Sequence, residues 1–128
     1  MAVVVEGVYY SKNHEWIKVE GNEAYIGITD YAQHSLGEVV YVEFPEEGDE
    51  FASGDAFGVI ESVKAAVDSY MPVSGKIVGI NDDLLEDEPQ ALNEKPYEAW
   101  ILKVELSDPS ELEGLMSAED YKKLCEEE

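Results

Sequence analysis

Between His14 and Leu106 the chain is broken into short apolar-rich runs, most of them closed by glycine, proline, asparagine or aspartate before an ordinary helix could form. His14 to Val19 alternates, with Trp16 and Lys18 on one face and Ile17 and Val19 on the other. Glu23 to Ile28 repeats the pattern with Ala24, Ile26 and Ile28 aligned, and Gly21-Asn22 between the two runs marks a hairpin turn. Further β-rich runs are Glu38–Phe44, Ala56–Ser62, Ala65–Tyr70, Gly75–Ile80 and Ala99–Leu106. Many short strands at close spacing predict a mainly β sandwich or barrel. A chain of 128 residues fits one such domain, with a core over about residues 8–106. Gly37 to Val42 also matches Gly75 to Ile80, a small residue followed by an aliphatic strand, which suggests two similar β halves.

Helical signals are few. Asp30 followed by Gln33 resembles a capping box and Gly37 stands where a C-cap belongs, predicting one short helix. Asp108-Pro109-Ser110-Glu111 offers an N-cap with proline at the first helical position, and Ser117 with Asp120 repeats the start signal. A C-terminal helical appendage is therefore expected over about residues 108–125, with Glu126 to Glu128 fraying at the unfavourable end of the helix dipole. Asp82 to Glu88 reads as a solvated acidic loop. Tyr25, Tyr41, Phe44 and Trp100 fall on alternating strands and read as buried or half-buried packing, as do Met71 and Met116. His34 reads as a helix-surface residue.

Charge excludes several functions. Thirty acidic residues against eight lysines give a net charge of −22. Such a surface repels phosphates and the anionic face of membranes, so neither a nucleic acid nor a membrane is expected as partner. The start has no basic region followed by a long apolar segment, and the one cysteine, Cys125, cannot pair within the chain. Both features point to the cytoplasm. His14, His34 and Cys125 lack metal-ligand spacing, and the acidic stretches lack the spaced ligands of a calcium loop. Nucleophile-elbow and phosphate-cradling glycine patterns are absent, and no paired-carboxylate site for an acidic hydrolase can be assembled.

Lys64 stands apart. No other lysine or arginine occurs between Lys18 and Lys76. Lys64 lies in Ile60-Glu61-Ser62-Val63-Lys64-Ala65-Ala66-Val67-Asp68, between two strand-like runs with no glycine or proline between them. A hairpin tip there presents one long amine to solvent. That suits an ordinary surface lysine or covalent modification, and it lacks the desolvated pocket that Schiff-base chemistry needs.

Glu61-Ser62-Val63-Lys64-Ala65, with Asp68 and Pro72-Val73-Ser74-Gly75-Lys76-Ile77, closely resembles the lipoylation region of the glycine cleavage system H protein family. His14-Glu15-Trp16, Gly27 to Gln33, Leu36 to Val42, Asn81 to Leu84, Leu92-Asn93, Pro96-Tyr97, Trp100 and Tyr121-Lys122-Lys123 extend the likeness over about residues 8–125. The family usually has glycine before that tryptophan, whereas this chain has Ala99; a positive φ there would cost about 1 kcal/mol.

The resemblance implies a barrel-sandwich hybrid of two quasi-symmetric β halves with short helices. It implies a non-catalytic, monomeric carrier with lipoate amide-linked to Lys64. The arm of such a carrier takes the aminomethyl group of glycine from a pyridoxal-phosphate glycine decarboxylase to an aminomethyltransferase. Dihydrolipoyl dehydrogenase then reoxidises it, and lipoate-attaching enzymes load the lysine. Glu15 and Asp68 fall where the resemblance places the arm's cleft and are candidates for docking the loaded arm. A bacterial cytoplasmic location is preferred over a mature mitochondrial one. Lipoate relay to other proteins, and a structural or regulatory homologue without lipoate, are the alternatives; the retained Lys64 argues against the second.

Overall fold

The computed structural model describes residues 3–127. The expected first hairpin is present: β2 (Glu15–Glu20) pairs antiparallel with β3 (Glu23–Ile28), setting Ile17 opposite Ile26 and Val19 opposite Ala24. β9 (Leu102–Leu106) extends the sheet on the far side of β3 with Leu102 opposite Ile26 and Val104 opposite Ala24, and β8 (Gly75–Ile80) follows with Ile77 opposite Val104. Two short strands, β1 (Tyr9–Tyr10) and β5 (Glu50–Phe51), close the edges of this sheet, whose order is β1-β2-β3-β9-β8-β5. The second sheet is β4 (Val39–Glu43), β6 (Ala56–Ser62) and β7 (Ala66–Tyr70), in the order β4-β6-β7. The similar sextets seen in the sequence become β4 and β8, one in each sheet.

Period-two alternation turns one face of each sheet inward, and Ile17, Ile26, Val39, Ile60, Ile77 and Leu102 form one continuous core. A second, aromatic cluster covers the other side of β2. Trp16 lies in it with Tyr10 and Tyr121, whose rings stack with centroids 4.4 Å apart. The C-terminal helix α4 (Ala118–Glu127) is fastened there by Tyr121, and the backbones of Tyr10 and Met116 exchange two hydrogen bonds of 2.9 and 2.8 Å just before it. The indole lies so close over Gly27 that a methyl group there would meet ring carbons at 2.6 Å.

Several expectations need correction. The helix α1 (Asp30–Leu36) is capped by Thr29, whose hydroxyl accepts the Ala32 N–H at 3.2 Å; Asp30 is its first residue and Gly37 ends it with φ 79°. Asp82 to Glu88 is no solvated loop: α2 (Asp82–Asp87) folds there and α3 (Ala91–Glu94) follows it, because Leu85, Ala91 and Leu92 reach the core. The segment after Asp108 is a 3₁₀ helix, Pro109–Gly114, capped by the Asp108 carboxylate on the Ser110 N–H. Glu126 and Glu127 stay helical because Tyr121 anchors α4, outweighing a dipole penalty of about 1 kcal/mol or less; Glu128 lies outside the described residues. The last strand begins at Leu102, since Lys95 to Trp100 form a turn in which the Ala99 N–H donates to the Lys95 carbonyl at 2.9 Å. Ala99 is fully buried without a positive φ, so the anticipated strain does not arise. Tyr41 is 52% exposed rather than packed, because a register shift between Val39 and Tyr41 turns both Val40 and Tyr41 outward.

Candidate functional site

The β6–β7 hairpin places Lys64 at its exposed tip. Ser62 shapes that tip without glycine: its N–H donates to the Ala65 carbonyl at 2.7 Å, and its hydroxyl accepts the N–H groups of Lys64 and Ala65, both at 3.2 Å. One further bond ties the tip to the rest of the fold, from the Val63 N–H to the Glu38 carbonyl at 3.0 Å. Among the described residues the Lys64 ammonium forms no ion pair, although the chain is so acidic.

Beside the hairpin, α1 and the second sheet enclose a cleft of about 220 Å³. Its walls are largely apolar, with Ile28 and Leu36 facing Ile60 and Val67, and two acids line it, Glu15 and Asp68. The structure thus brings both sequence candidates to one cleft on the strands that carry Lys64. Asp68 is exposed, four residues past Lys64. At about 3.3 Å per residue that is a span of roughly 13 Å along β7, within reach of a lysine side chain extended by an octanoyl-length chain.

Glu15 is only 4% exposed. The alternation that turns Ile17 and Val19 into the core turns Glu15 the same way, at the end of the strand where the core opens into the cleft. Among the described residues no cation faces its carboxylate. Burial pushes the group up to about 8, against the opposing pull of hydrogen bonds from the Ser11 hydroxyl at 3.2 Å and the Tyr70 backbone N–H. A buried acid beside an open, mostly apolar cleft is suited to receiving a cationic group.

His14, at the cleft wall, is the non-glycine residue with positive φ (64°) among those described. Its Nδ1 meets the Tyr121 hydroxyl at 2.8 Å, and that hydroxyl also meets Thr29 Oγ1 at 2.6 Å. The C-terminal helix thereby buttresses the wall next to Glu15. Burial raises the Tyr121 phenol above its ordinary value, so it stays a neutral hydrogen-bonding group. His34 sits on the exposed side of α1 beside Asp30, 3.4 Å away, as a surface residue. Sequence reasoning missed Ser11 and the Tyr70 N–H as partners of Glu15, and His14–Tyr121 as a buttress. Only the parity of Glu15 with Ile17 and Val19 was a readable signal.

Comparison with known proteins agrees with this geometry. Residues 8–128 match the family described as glycine cleavage H-protein. The chain belongs to the glycine cleavage H-protein family. The glycine cleavage system H protein of Alkaliphilus oremlandii is 62% identical over 124 residues, covering 97% of each chain. That of Carboxydothermus hydrogenoformans is 57% identical over 129 residues, covering 100% of this chain and 98% of the relative. A crystal structure of the Mycobacterium marinum protein superposes with a TM-score of 0.84 at 31% identity, covering 94% of this chain and 97% of that one. Proteins of the family carry a lipoyl group, and the residues here fit one: an exposed amine without an ion pair on a pinned tip, next to an apolar cleft that ends on a buried acid. Among the described residues no helix is long and apolar enough to cross a membrane.

Proposed function

We propose that the protein is a lipoyl carrier of the glycine cleavage system, with lipoate in amide linkage to Lys64. The match to the H-protein family over residues 8–128, with Lys64 alone at an exposed hairpin tip, is the observation that carries this reading. Bound lipoate supplies a dithiolane that takes up a one-carbon amine unit and is reoxidised after giving it up. This chain supplies no catalytic group of its own; it presents the arm to glycine decarboxylase, the aminomethyltransferase and dihydrolipoyl dehydrogenase in turn. Tethering holds the reacting group at high effective concentration for whichever partner has docked. Lipoate-attaching enzymes act on the Lys64 amine, and the carrier works as a monomer in a bacterial cytoplasm.

Between visits, Glu15 and Asp68 receive the cationic end of the loaded arm. Glu15 ionises against that cation, and the walls of Ile28, Leu36, Ile60 and Val67 keep water from the carbon between nitrogen and sulfur. The disulfide form has no cation, so neither acid holds it and Lys64 leaves the arm free to swing.

The test is uptake of glycine labelled at its α-carbon by the lipoylated chain in the presence of glycine decarboxylase, since the carboxyl carbon leaves as carbon dioxide. The expected result is label on the peptide that contains Lys64, with none on a chain that has not been lipoylated. A lipoylated chain that takes up no label, with an active decarboxylase, contradicts the assignment.

A further inference from the structure

We propose that Asn93 is a positioning residue for Lys64: its carboxamide grips the backbone on both sides of Glu38 and so fixes where the hairpin tip holds its amine. The proposal rests on the reading of Lys64 as the lipoyl attachment point, and its geometry lies outside the cleft that holds Glu15 and Asp68.

Asn93 Nδ2 donates to the Gly37 carbonyl at 2.7 Å and its Oδ1 accepts the Val39 N–H at 2.8 Å, spanning the bend at Glu38 where β4 begins. With both flanking groups held, the Glu38 carbonyl is left facing away, toward the hairpin. There it accepts the Val63 N–H at 3.0 Å, one residue before Lys64. Gly37 also carries the lysine stem directly. A methyl group on its α-carbon would come within 3.1 Å of Lys64 Cε, so the stem lies across the residue whose carbonyl Asn93 holds.

Asn93 is itself held in one orientation. Its Nδ2 also donates to Gln33 Oε1 at 3.1 Å, and Gln33 Nε2 donates to Asp30 Oδ1 at 2.9 Å. The chain of amides ends on a carboxylate, which only accepts, and hydrogen bonding from the Val3 N–H and Gln33 keeps that carboxylate below its ordinary value despite desolvation. Helix α3 delivers Asn93 rigidly, because the two residues before it, Ala91 and Leu92, are fully buried. The α2–α3 segment thus gains a role that its acidic composition conceals: it braces the lysine tip from 29 residues downstream.

The reaction at issue is amide formation, in which Lys64 Nζ bonds to the activated carboxyl carbon of lipoate, the adenylate departs and the amine gives up a proton. A displacement of about 1 Å in the attacking atom can cost about a hundredfold in rate without weakening docking. The test uses the full chain with a lipoate–protein ligase, lipoate and ATP, and varies the concentration of the chain. Asn93→Asp keeps the shape of the side chain and removes both donors. Its kcat is expected to fall about ten- to hundredfold while KM for the chain stays within about twofold. Amide hydrogen exchange at Val63 should quicken while Ile26 and Leu102 keep their protection. Asn93→Ala, which removes both grips without adding a charge, should show the same kcat loss, and it decides alone if Asn93→Asp does not fold. A folded Asn93→Asp with unchanged kcat, or with only KM raised, overturns the proposal. Failure of the wild-type chain to accept lipoate refutes the carrier reading instead, and the exchange at Val63 then still decides whether Asn93 sets the tip.

Discussion

Replacing Glu15 by Gln separates what this residue does for stability from what it does for function. The carboxyl moves from about 4.5 in the unfolded chain to about 8 in the folded one, chiefly through burial. Each tenfold in a protonation constant is worth about 1.4 kcal/mol, so the ionised folded form carries a penalty of at most about 5 kcal/mol. Water entering through the open mouth of the cleft lowers this to roughly 2–4 kcal/mol. The sign follows from proton counting. Between pH 4.5 and 8 the folded state holds a proton that the unfolded state has lost, so stability falls as pH rises through this window and levels off above it. Gln keeps the shape and never ionises. Urea unfolding followed by the fluorescence of Trp16 and Trp100 should find the two proteins within about 1 kcal/mol at pH 4.5, and Glu15→Gln more stable by roughly 2–4 kcal/mol at pH 9. Lipoylated and loaded, the same variant should lose its one-carbon unit faster than wild type. Stability curves that run parallel across the whole pH range would refute the claim that Glu15 is held buried without a counter-charge.

Asp68→Ala, which lies at the same cleft but is exposed, should leave stability within about 0.5 kcal/mol and still speed release of the one-carbon unit from the loaded carrier without enzymes; an unchanged rate removes Asp68 from the docking site. Tyr121→Phe removes the hydroxyl between His14 and Thr29 and should cost about 1–3 kcal/mol in thermal or urea unfolding, whereas a neutral outcome would show that the buttress carries no load. Gly27→Ala should destabilise by about 1–3 kcal/mol and shift Trp16 fluorescence, because the indole has no room to retreat. With a net charge of −22, association with the decarboxylase should slow steeply as salt rises, and stopped-flow rates independent of salt would contradict steering by charge.

Elements whose signal is local were legible in the sequence. The β2–β3 hairpin follows from alternation around Gly21-Asn22, and the exposed lysine tip follows from two strand runs meeting without a helix signal. α2 and α3 were illegible because each is too short to show a period, and only core contacts by Leu85, Ala91 and Leu92 hold them helical. The cap of α1 was misplaced by one residue because Thr29 and Asp30 are both good capping residues, and within the helix the Asp30 carboxylate accepts from Gln33 instead of capping. The bulge at Val40 left no trace in composition, so Tyr41 read as buried or half-buried packing. At the candidate site, Lys64 was singled out by its isolation and its motif. The brace on it was not, since Gln33 and Asn93 meet across 60 residues and only the folded chain brings them together.

The most direct measurement is the site of attachment. After incubation with lipoate, ATP and a lipoate–protein ligase, intact mass should rise by one lipoyl group, and peptide mapping should place it on Lys64. Lys64→Arg keeps the charge at the tip and cannot form the amide, so it should fold normally and gain no mass. Attachment at Lys76 or any other lysine, or mass gain by the Lys64→Arg variant, would contradict the account.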